Sequence, residues 1–275
     1  MPDRHDQPVL VTGANSGIGL ATVLDLARRG FRTVGSVRSE AKAEIVAKAA
    51  ADAGVEVDTV LLDVTDAAQC ASVVSKLDLY GLVNNAGYGL TGAIEDVGDE
   101  EVRHHLETMV VAPMRLARLA LPSMRAHGGG RIVNVSSIAG RVSMPLAGWY
   151  TASKHALEAA TDSLRVEVAR DGVKVALVEP GGFKTGIWED FDRDVAKRSG
   201  SEYAVSYERS KRLIGLTTGV MGDPAHVAKV IAGAVGARSP RARYLVGIDA
   251  QAMNLVSRLT PTAIQDLVSR ISLGL

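Results

Sequence analysis

The chain alternates short, nearly continuous apolar runs with longer segments in which apolar residues recur at helical spacing. Short runs of this kind are typical of strands buried on both faces, and the longer pattern is typical of helices that cover those faces. Strands are predicted at 9–11, 33–37, 57–62, 81–84, 131–136 and 173–178, with a further candidate at 244–246. Helices are predicted between them at 17–29, 40–53, 66–77, 99–126 and 149–170.

Because strands and helices alternate, the pattern predicts an α/β fold with a doubly wound parallel sheet flanked by helices. We expect one domain over 1–275, since no linker or internal repeat interrupts the chain. Two segments depart from the alternation. A long insertion at about 183–215 follows the sixth predicted strand. A helical C-terminal tail at about 249–275 is broken at Thr260-Pro261, with Thr260 as the N-cap and Pro261 as the first residue of the second helix.

Composition and charge narrow the classes of function. The 275 residues carry 31 basic and 31 acidic side chains, so no overall charge attracts nucleic acid. The single cysteine, Cys70, excludes an internal disulfide and favours a cytoplasmic protein. The polar N-terminus does not resemble a signal peptide, and no apolar run reaches the ~18 residues of a membrane span. The six histidines lack the spacing of metal ligands, so no metal site is expected.

A glycine-rich turn, TGANSGIG at 12–19, joins the first predicted strand to the first predicted helix. Gly13 lets the chain leave the strand tightly, Gly17 lets a phosphate approach the backbone, and Gly19 lets the helix pack close to the sheet. The free N–H groups at the helix N-terminus would then face the phosphates. This arrangement favours a dinucleotide cofactor and a Rossmann-type sheet. The residues of the turn expected to contact the cofactor are Gly13, Ser16, Gly17, Ile18 and Gly19.

The end of the second predicted strand indicates which nicotinamide cofactor binds. A site for NAD(H) carries an acidic residue there, about 20 residues beyond the glycine turn, which binds the ribose hydroxyls. In this chain Val37 stands at that position and Arg38 follows it. A guanidinium pairs well with a 2′-phosphate, so we expect NADP(H) to be preferred over NAD(H). The alternative is that Arg38 is a solvated charge near the start of a helix.

Tyr150 and Lys154 are four residues apart on a predicted helix and therefore share a face. An ammonium beside a phenol lowers the phenol's pKa from about 10, which would let Tyr150 exchange a proton with a carbonyl oxygen. Ser137 lies at the carboxyl end of the fifth predicted strand, where ligands bind to such sheets. Its hydroxyl can stabilise negative charge on a substrate oxygen. The alternatives are a surface Tyr–Lys pair, and Ser136 as the hydroxyl donor.

These motifs together resemble the short-chain dehydrogenase/reductase family. The resemblance covers about 8–248 and rests on TGANSGIG, NNAG at 84–87, Ser137, YTASK at 150–154 and Pro180-Gly181. It implies an NADP(H)-dependent oxidoreductase that moves hydride between the nicotinamide and a carbonyl or secondary alcohol, with Ser137, Tyr150 and Lys154 as catalytic residues. The compact single-domain branch that includes 17-beta-hydroxysteroid and retinol dehydrogenases is the most similar. The resemblance also implies a homodimer or homotetramer.

The resemblance implies cofactor contacts beyond the glycine turn and Arg38. The matching positions are Asp63 and Val64 beside the adenine, Asn85, Ala86 and Gly87 along the adenosine ribose, Tyr150 and Lys154 at the nicotinamide ribose, and Pro180, Gly181, Phe183 and Thr185 over the nicotinamide. Three alternatives stay open. Asp63 could cap a turn, the Asn-Asn-Ala-Gly segment could serve only the sheet, and the Pro-Gly segment could be a turn without a ligand.

One position departs from the family pattern. The resemblance implies an asparagine whose bulge anchors a water leading to the lysine, and counting back from Leu121-Pro122 places Met109 there. A thioether cannot replace an amide in a hydrogen-bond relay. Glu107 and His105 are close in sequence, but we expect them to point elsewhere on the helix. The departure supports a second hypothesis, a catalytically weak or inactive NADP(H)-binding sensor or scaffold.

The insertion at 183–215 holds five of the eleven Phe, Trp and Tyr residues of the chain, which are Phe183, Trp188, Phe191, Tyr203 and Tyr207. We interpret this insertion as a mobile apolar lid over the substrate. An apolar lid favours an apolar carbonyl or alcohol, such as a steroid, a retinoid or an alkyl ketone. The alternative is that these aromatic residues pack the insertion onto the body of the protein.

Overall fold

The computed structural model describes residues 7–217, 219 and 221–275. Its strands form one seven-stranded sheet in which all neighbours are parallel. The strands are β1 (Val9–Thr12), β2 (Thr33–Val37), β3 (Asp58–Leu61), β4 (Gly81–Asn84), β5 (Gly130–Val135), β6 (Val173–Pro180) and β7 (Arg243–Val246). The α-helices are α1 (Gly17–Arg28), α2 (Glu40–Ala53), α3 (Ala67–Ser75), α4 (Asp99–Leu106), α5 (Ala112–Ala126), α6 (Gly148–Glu167), α7 (Ile187–Lys197), α8 (Ala204–Thr217), α9 (Pro224–Gly236), α10 (Ile248–Leu259) and α11 (Thr262–Leu273).

The strand order, β3-β2-β1-β4-β5-β6-β7, confirms the predicted doubly wound sheet of the Rossmann type. The chain winds outward from β1 to β3, returns to the centre at β4, and then winds the other way to β7. In sheets of this kind, ligands bind at the carboxyl ends of the strands, near the point where the order reverses. The turn after β1 and the segment after β4 meet at that point, because β1 and β4 are neighbours.

Buried apolar side chains cover both faces of the sheet. On one face, Val9 packs in a cluster with Leu26 of α1 and Ile231 of α9. On the other face, the next residue, Leu10, packs in a cluster with Leu116 of α5. Successive strand residues point to opposite faces, so a strand covered on both sides is apolar at every position. This explains why the strands could be predicted as continuous apolar runs.

The long helix predicted at 99–126 is divided into three parts. α4 ends at Leu106, a π-helical turn follows at Glu107–Val111, and α5 begins at Ala112. Pro113 lies in the first turn of α5 and has no N–H to offer the carbonyl of Met109, four residues earlier. The local sequence therefore disfavours regular α-helical bonding at this point, and the bulge forms even though Met109 stands in place of an asparagine. Such π turns occur frequently at functional sites.

The insertion and the tail are both helical. The insertion contains α7 and most of α8, and the tail contains α10 and α11. The break in the tail lies at the predicted place, but Thr260 is the C-cap of α10, and Pro261 is the N-cap that precedes α11. Within this tail, Ala250 is the one buried residue of α10, and α11 contributes none. Across the part of the chain that the structure describes, no helix has the length and apolar character needed to cross a membrane.

Candidate active site

Ser137, Tyr150 and Lys154 come together at the carboxyl end of β5. Ser137 is the N-cap of a short 3-10 turn that follows β5, and Tyr150 lies in the first turn of α6. The Lys154 ammonium nitrogen lies 5.9 Å from the centroid of the Tyr150 ring. The Ser137 hydroxyl interacts with the Tyr150 phenol, whereas Ser136 is buried beneath it with only 4% exposure. The structure thus brings Ser137, rather than Ser136, to the phenol.

Burial is the main cause of the pKa shifts of Lys154 and Tyr150. Burial lowers the pKa of Lys154 to about 8, although the Glu158 carboxylate one turn further along α6 opposes the change. The ammonium also donates to the carbonyl oxygen of Val135, 2.9 Å away. Burial raises the pKa of Tyr150, and the Ser137 hydroxyl acts in the opposite direction. The sequence alone predicted a lowered phenol pKa, but removal of the phenol from water outweighs its neighbours here.

The loops after β1, β4 and β6 contact one another at the glycine turn, closely at Gly13 and Gly19. A Cβ atom on Gly13 would lie 3.0 Å from the backbone of Ala86, in the segment after β4. A Cβ atom on Gly17 would lie 3.4 Å from Thr185, in the loop after β6. A Cβ atom on Gly19 would overlap the carbonyl oxygen of Gly13. These contacts make a backbone-lined cradle at the N-terminus of α1, which fits the phosphates of a dinucleotide.

The NNAG segment at 84–87 supports this cradle through polar side chains. The Asn85 amide donates to the carbonyl oxygens of Thr12 (2.9 Å) and Gly13 (3.3 Å). The Thr12 hydroxyl accepts from the backbone N–H groups of Asn85 and Ala86 at 3.0 and 2.9 Å. The Asn85 side chain therefore holds the glycine turn in place. This contact agrees with the alternative in which the Asn-Asn-Ala-Gly segment has a structural role. Ala86 is the member of the segment that borders the turn itself.

Ser16 and Ile18 of the glycine turn differ in the groups that they can offer to a ligand. Ser16 is the N-cap of α1, is exposed, and makes no capping hydrogen bond with its side chain. Its hydroxyl is thus available to a ligand at the helix N-terminus. Ile18 is half-buried and packs against the core cluster that contains Leu26. On this geometry Ile18 can offer a ligand its backbone N–H, while its side chain serves the core.

Arg38 and Asp63 follow the neighbouring strands β2 and β3 at the carboxyl edge of the sheet. Arg38 is exposed at the end of β2. The Asp63 carboxylate accepts from the backbone N–H and the hydroxyl of Thr65 at 2.9 and 2.7 Å, so it caps a turn, as in the alternative considered from the sequence. Burial would raise the pKa of Asp63, but the bonds from Thr65 and the charge of Arg38 together lower it. Val64 is buried, and its carbonyl oxygen accepts from Arg115 at 3.1 Å.

The loop at 180–185 lies opposite the glycine turn and is fixed at several points. Pro180 ends β6, and the backbone N–H of Gly181 donates to the carbonyl oxygen of Val246. Phe183 is buried in the core, so its side chain does not face the crevice. Thr185 is the side chain of this loop that approaches the glycine turn. The structure thus brings the loop and the turn together, as the motif predicted, with Thr185 at the contact.

Comparison with known proteins agrees with this arrangement. Residues 7–196 match the family model for short chain dehydrogenases. The chain belongs to the short-chain dehydrogenase family. It is 37% identical over 230 residues to the uncharacterized oxidoreductase YusZ of Bacillus subtilis, an alignment that covers 81% of this chain and 82% of that protein. It is 34% identical over 283 residues to retinol dehydrogenase 16 of Mus musculus, covering 95% of this chain and 87% of that protein.

A solved structure supports the same assignment. A variant of actinorhodin polyketide ketoreductase, determined with NADPH, is 29% identical with a TM-score of 0.77, and the match covers 92% of this chain and 100% of that chain. This short-chain dehydrogenase is therefore an oxidoreductase, and its fold is one that holds a nicotinamide cofactor.

In this short-chain dehydrogenase, the position of His105 differs from the one predicted from the sequence. His105 was predicted to point away from the site, but it is fully buried, and its ring centroid lies 6.1 Å from that of Tyr150. His105 and Met109 are four residues apart and share a face, a spacing that could have revealed the position. Glu107 does point elsewhere, because it pairs with Arg115 at 2.5 Å. Met109 is buried against Gly87.

The aromatic residues of the insertion mainly hold it to the body of the protein. Tyr207 is buried, its hydroxyl donates to Asp96, and it accepts from the backbone N–H of Ala93 at 2.7 Å. Phe191 and Tyr203 pack in the same cluster. The Trp188 indole donates to the carbonyl oxygen of Phe183 at 2.8 Å. These contacts correspond to the packing alternative rather than to an aromatic lining of the substrate site.

Proposed function

We propose that this short-chain dehydrogenase transfers hydride between NADP(H) and the carbonyl or secondary alcohol of an apolar substrate. One observation carries the proposal: Ser137, Tyr150 and Lys154 stand together after β5, at the same carboxyl edge of the sheet as the cradle of Gly13, Gly17 and Gly19 and one strand away from it. The arrangement places proton-transfer groups next to a site that fits a dinucleotide. The bound nicotinamide would supply or accept the hydride, and the protein side chains would manage the charge on the substrate oxygen.

Each of the three side chains has a distinct role in this proposal. In the direction of reduction, Tyr150 gives the proton of its hydroxyl to the substrate oxygen. Ser137 donates a hydrogen bond to the same oxygen and stabilises the negative charge that develops there. Lys154, with a pKa of about 8, returns a proton to the phenolate and holds the nicotinamide ribose. We therefore expect the rate of reduction to fall as the pH rises through about 8, because the ammonium loses its proton.

The preference for NADP(H) is supported by charge at the far end of the crevice. Arg38 is exposed and lies close enough to Asp63 to lower the pKa of its carboxyl group. A guanidinium in that position can pair with a 2′-phosphate, while Val37 cannot bind the ribose hydroxyls of NAD(H). Actinorhodin polyketide ketoreductase, with which this chain shares its fold, was solved with NADPH.

The preference for an apolar substrate is supported by the surroundings of Tyr150. Its ring packs with Trp149 and Leu106 against a buried cluster of Leu90, Val97 and Val102. The start of α7 closes over this region, where a Cβ atom on Gly89 would lie 3.3 Å from Ile187. The protein around the Tyr150 ring is therefore apolar, which favours an apolar molecule with a single polar oxygen at the Ser137 and Tyr150 hydroxyls. Retinol dehydrogenase 16, a relative of this chain, carries the name of such a substrate.

Loss of nicotinamide absorbance tests the reaction. Purified protein should oxidise NADPH with at least one of a panel of steroid, retinoid and alkyl carbonyls. Tyr150→Phe should lower kcat by about 10²- to 10⁴-fold and leave NADPH binding within about twofold, because only the acid is removed. NADPH binding without turnover on any carbonyl would instead support the sensor or scaffold hypothesis. Turnover by the Phe variant at the wild-type rate would exclude Tyr150 as the acid.

A cofactor titration tests the role of Arg38. Arg38→Ala should weaken NADPH binding at least tenfold more than NADH binding, since a charged hydrogen bond contributes about 1.5–3 kcal/mol. Arg28→Ala, an exposed arginine at the end of α1, is the matched control and should change neither affinity. Equal weakening of both cofactors by Arg38→Ala would contradict the proposed contact with the 2′-phosphate.

A further inference from the structure

His105 lies between the aromatic rings and the lysine of the candidate active site. It is 0% exposed, and its ring stands edge-on to Tyr88 with the ring centroids 4.9 Å apart. Its Nε2 atom is 3.2 Å from the hydroxyl oxygen of Ser153, the residue before Lys154. The imidazole therefore contacts α6 directly beneath the catalytic side chains.

The hydrogen bonds of Ser153 determine which ring nitrogen carries the proton. The Ser153 hydroxyl donates its single proton to the carbonyl oxygen of Tyr150, 2.7 Å away. The same oxygen can then only accept from His105, so the proton lies on Nε2 and Nδ1 carries a lone pair. Among the described residues, Nδ1 has no hydrogen-bond partner although it is buried. A buried acceptor without a hydrogen bond destabilises the fold, which points to a ligand at Nδ1.

The charged and titratable groups around the ring indicate what such a ligand would be. These groups are Lys154 and Tyr150 on α6, Tyr88 after β4, and His104 on the same helix. Burial lowers the pKa of His105 to about 3, and the positive charge of Lys154 is the next largest cause. The ring is therefore neutral near pH 7 and serves as an acceptor. Lys154 uses one of its three N–H groups for Val135, which leaves donors for other partners.

We propose that His105 is a positioning residue of the proton path: its Nδ1 accepts a hydrogen bond from a water molecule that in turn accepts one from the Lys154 ammonium. The proposal rests on the proposed function. During reduction, the Tyr150 proton goes to the substrate oxygen, the Lys154 ammonium returns a proton to Tyr150, and the water passes a solvent proton to the Lys154 amine. His105 gains and loses no proton. It supplies a side-chain acceptor, which the Met109 thioether does not.

Four variants test this role by kinetics. His105→Leu should lower kcat for carbonyl reduction about tenfold or more and raise the solvent deuterium isotope effect, with KM and NADPH affinity within about twofold. His105→Gln, whose amide oxygen can accept, should keep most of the activity. Met109→Asn added to His105→Leu should restore kcat and the isotope effect. His104→Leu, the exposed neighbour, is the control and should change neither. Wild-type kcat and isotope effect in His105→Leu, or failure of both rescues in folded protein, would overturn the proposal.

Nitrogen-15 NMR of the histidine side chains tests the same role without turnover. The resonances that disappear in His105→Leu identify the ring. They should show an Nε2-protonated tautomer from pH 5 to pH 8, with an Nδ1 shift that moves toward that of a free lone pair in Lys154→Met. An Nδ1-protonated ring, or an Nδ1 shift unaffected by Lys154→Met, would overturn the proposal. If the wild-type chain binds NADPH but reduces no carbonyl, the proposed function fails, and these spectra still decide the placement of His105.

Discussion

The two walls of the candidate active site are held together by different forces. One wall consists of the glycine turn at 12–19 and the segment at 84–87. There, Gly19 packs against the carbonyl oxygen of Gly13, and the Asn85 amide and Thr12 hydroxyl bond to nearby backbone groups. Every contact in this wall is short and most involve the main chain. The wall therefore has little freedom to adjust to a change in any one residue.

In the opposite wall, the loop at 180–185, ionised side chains add to the backbone bonds that hold the loop. The Asp249 carboxylate at the start of α10 accepts from the backbone N–H of Gly182 at 2.5 Å. Glu179, just before the loop, is 0% exposed and binds Arg141 at 2.5 and 3.0 Å and Arg243 at 2.7 Å. Arg141 also donates to Asn254 of α10 at 3.3 Å.

One wall is thus fixed by shape and the other by charge. A wall fixed by shape responds to added atoms and is insensitive to salt. A wall fixed by charge responds to the removal of a charge, and its exposed contacts weaken with ionic strength. The second wall also connects the cofactor loop to the C-terminal tail. Three substitutions, two in the wall fixed by charge and one in the wall fixed by shape, would break or sharpen this contrast.

The largest effect is expected at the buried ion pairs. Glu179→Gln removes the negative charge shared by Arg141 and Arg243, and it should lower the free energy of unfolding by about 3–5 kcal/mol, because Arg141 loses its carboxylate partner and Arg243 keeps only Glu158 and Asp162. Urea unfolding followed by circular dichroism measures the change. Asp99→Asn, which breaks an exposed pair with Arg103, is the control and should leave the urea midpoint unchanged. A midpoint equal to the wild type in Glu179→Gln would show that this wall does not depend on the pair.

A smaller effect on the free energy of unfolding is expected at Gly19, where the first wall is most tightly packed. Gly19→Ala should lower the free energy of unfolding by about 1–3 kcal/mol, because the new methyl group overlaps the Gly13 carbonyl oxygen and pushes the turn apart. The same substitution should weaken NADPH binding. Gly233→Ala in α9, where a Cβ atom meets open space, is the control and should stabilise the protein by up to about 1 kcal/mol. If Gly19→Ala had the stability and the NADPH affinity of the wild type, the first wall would not be fixed by shape.

The smallest effect is expected at the contact between tail and loop. Asp249→Asn keeps the size of the side chain but removes its charge, so the bond to Gly182 weakens. We expect NADPH affinity to fall a few-fold, equivalent to about 1 kcal/mol. Addition of about 0.5 M NaCl should reduce the difference between variant and wild type, since Asp249 is exposed. Calorimetric titration measures both. Equal NADPH affinities of Asp249→Asn and the wild type at low salt would show that the tail does not stabilise the cofactor loop.

Several features of this protein were predicted from the sequence because they depend on local geometry. A strand buried on both faces must be apolar throughout, so the sheet could be predicted from its strands alone. Residues four apart on a helix share a face, so the spacing predicted that Tyr150 and Lys154 lie on one side of a helix, and the surrounding motifs then indicated their role. The glycine turn could be identified because the backbone of Gly19 admits no side chain where it crosses Gly13.

Other features were decided only by tertiary structure. The helix predicted at 99–126 is interrupted by the π turn at Glu107–Val111, and only the packing of α4 against α6 shows that His105 contacts Ser153. The aromatic residues of the insertion could have lined the substrate site or anchored the insertion, and only their partners, such as Asp96 for Tyr207, distinguish these roles. The pairing of Glu179 with Arg141 and Arg243 joins residues far apart in sequence. Local patterns fix the elements and their faces, whereas long-range contacts fix which side chains meet.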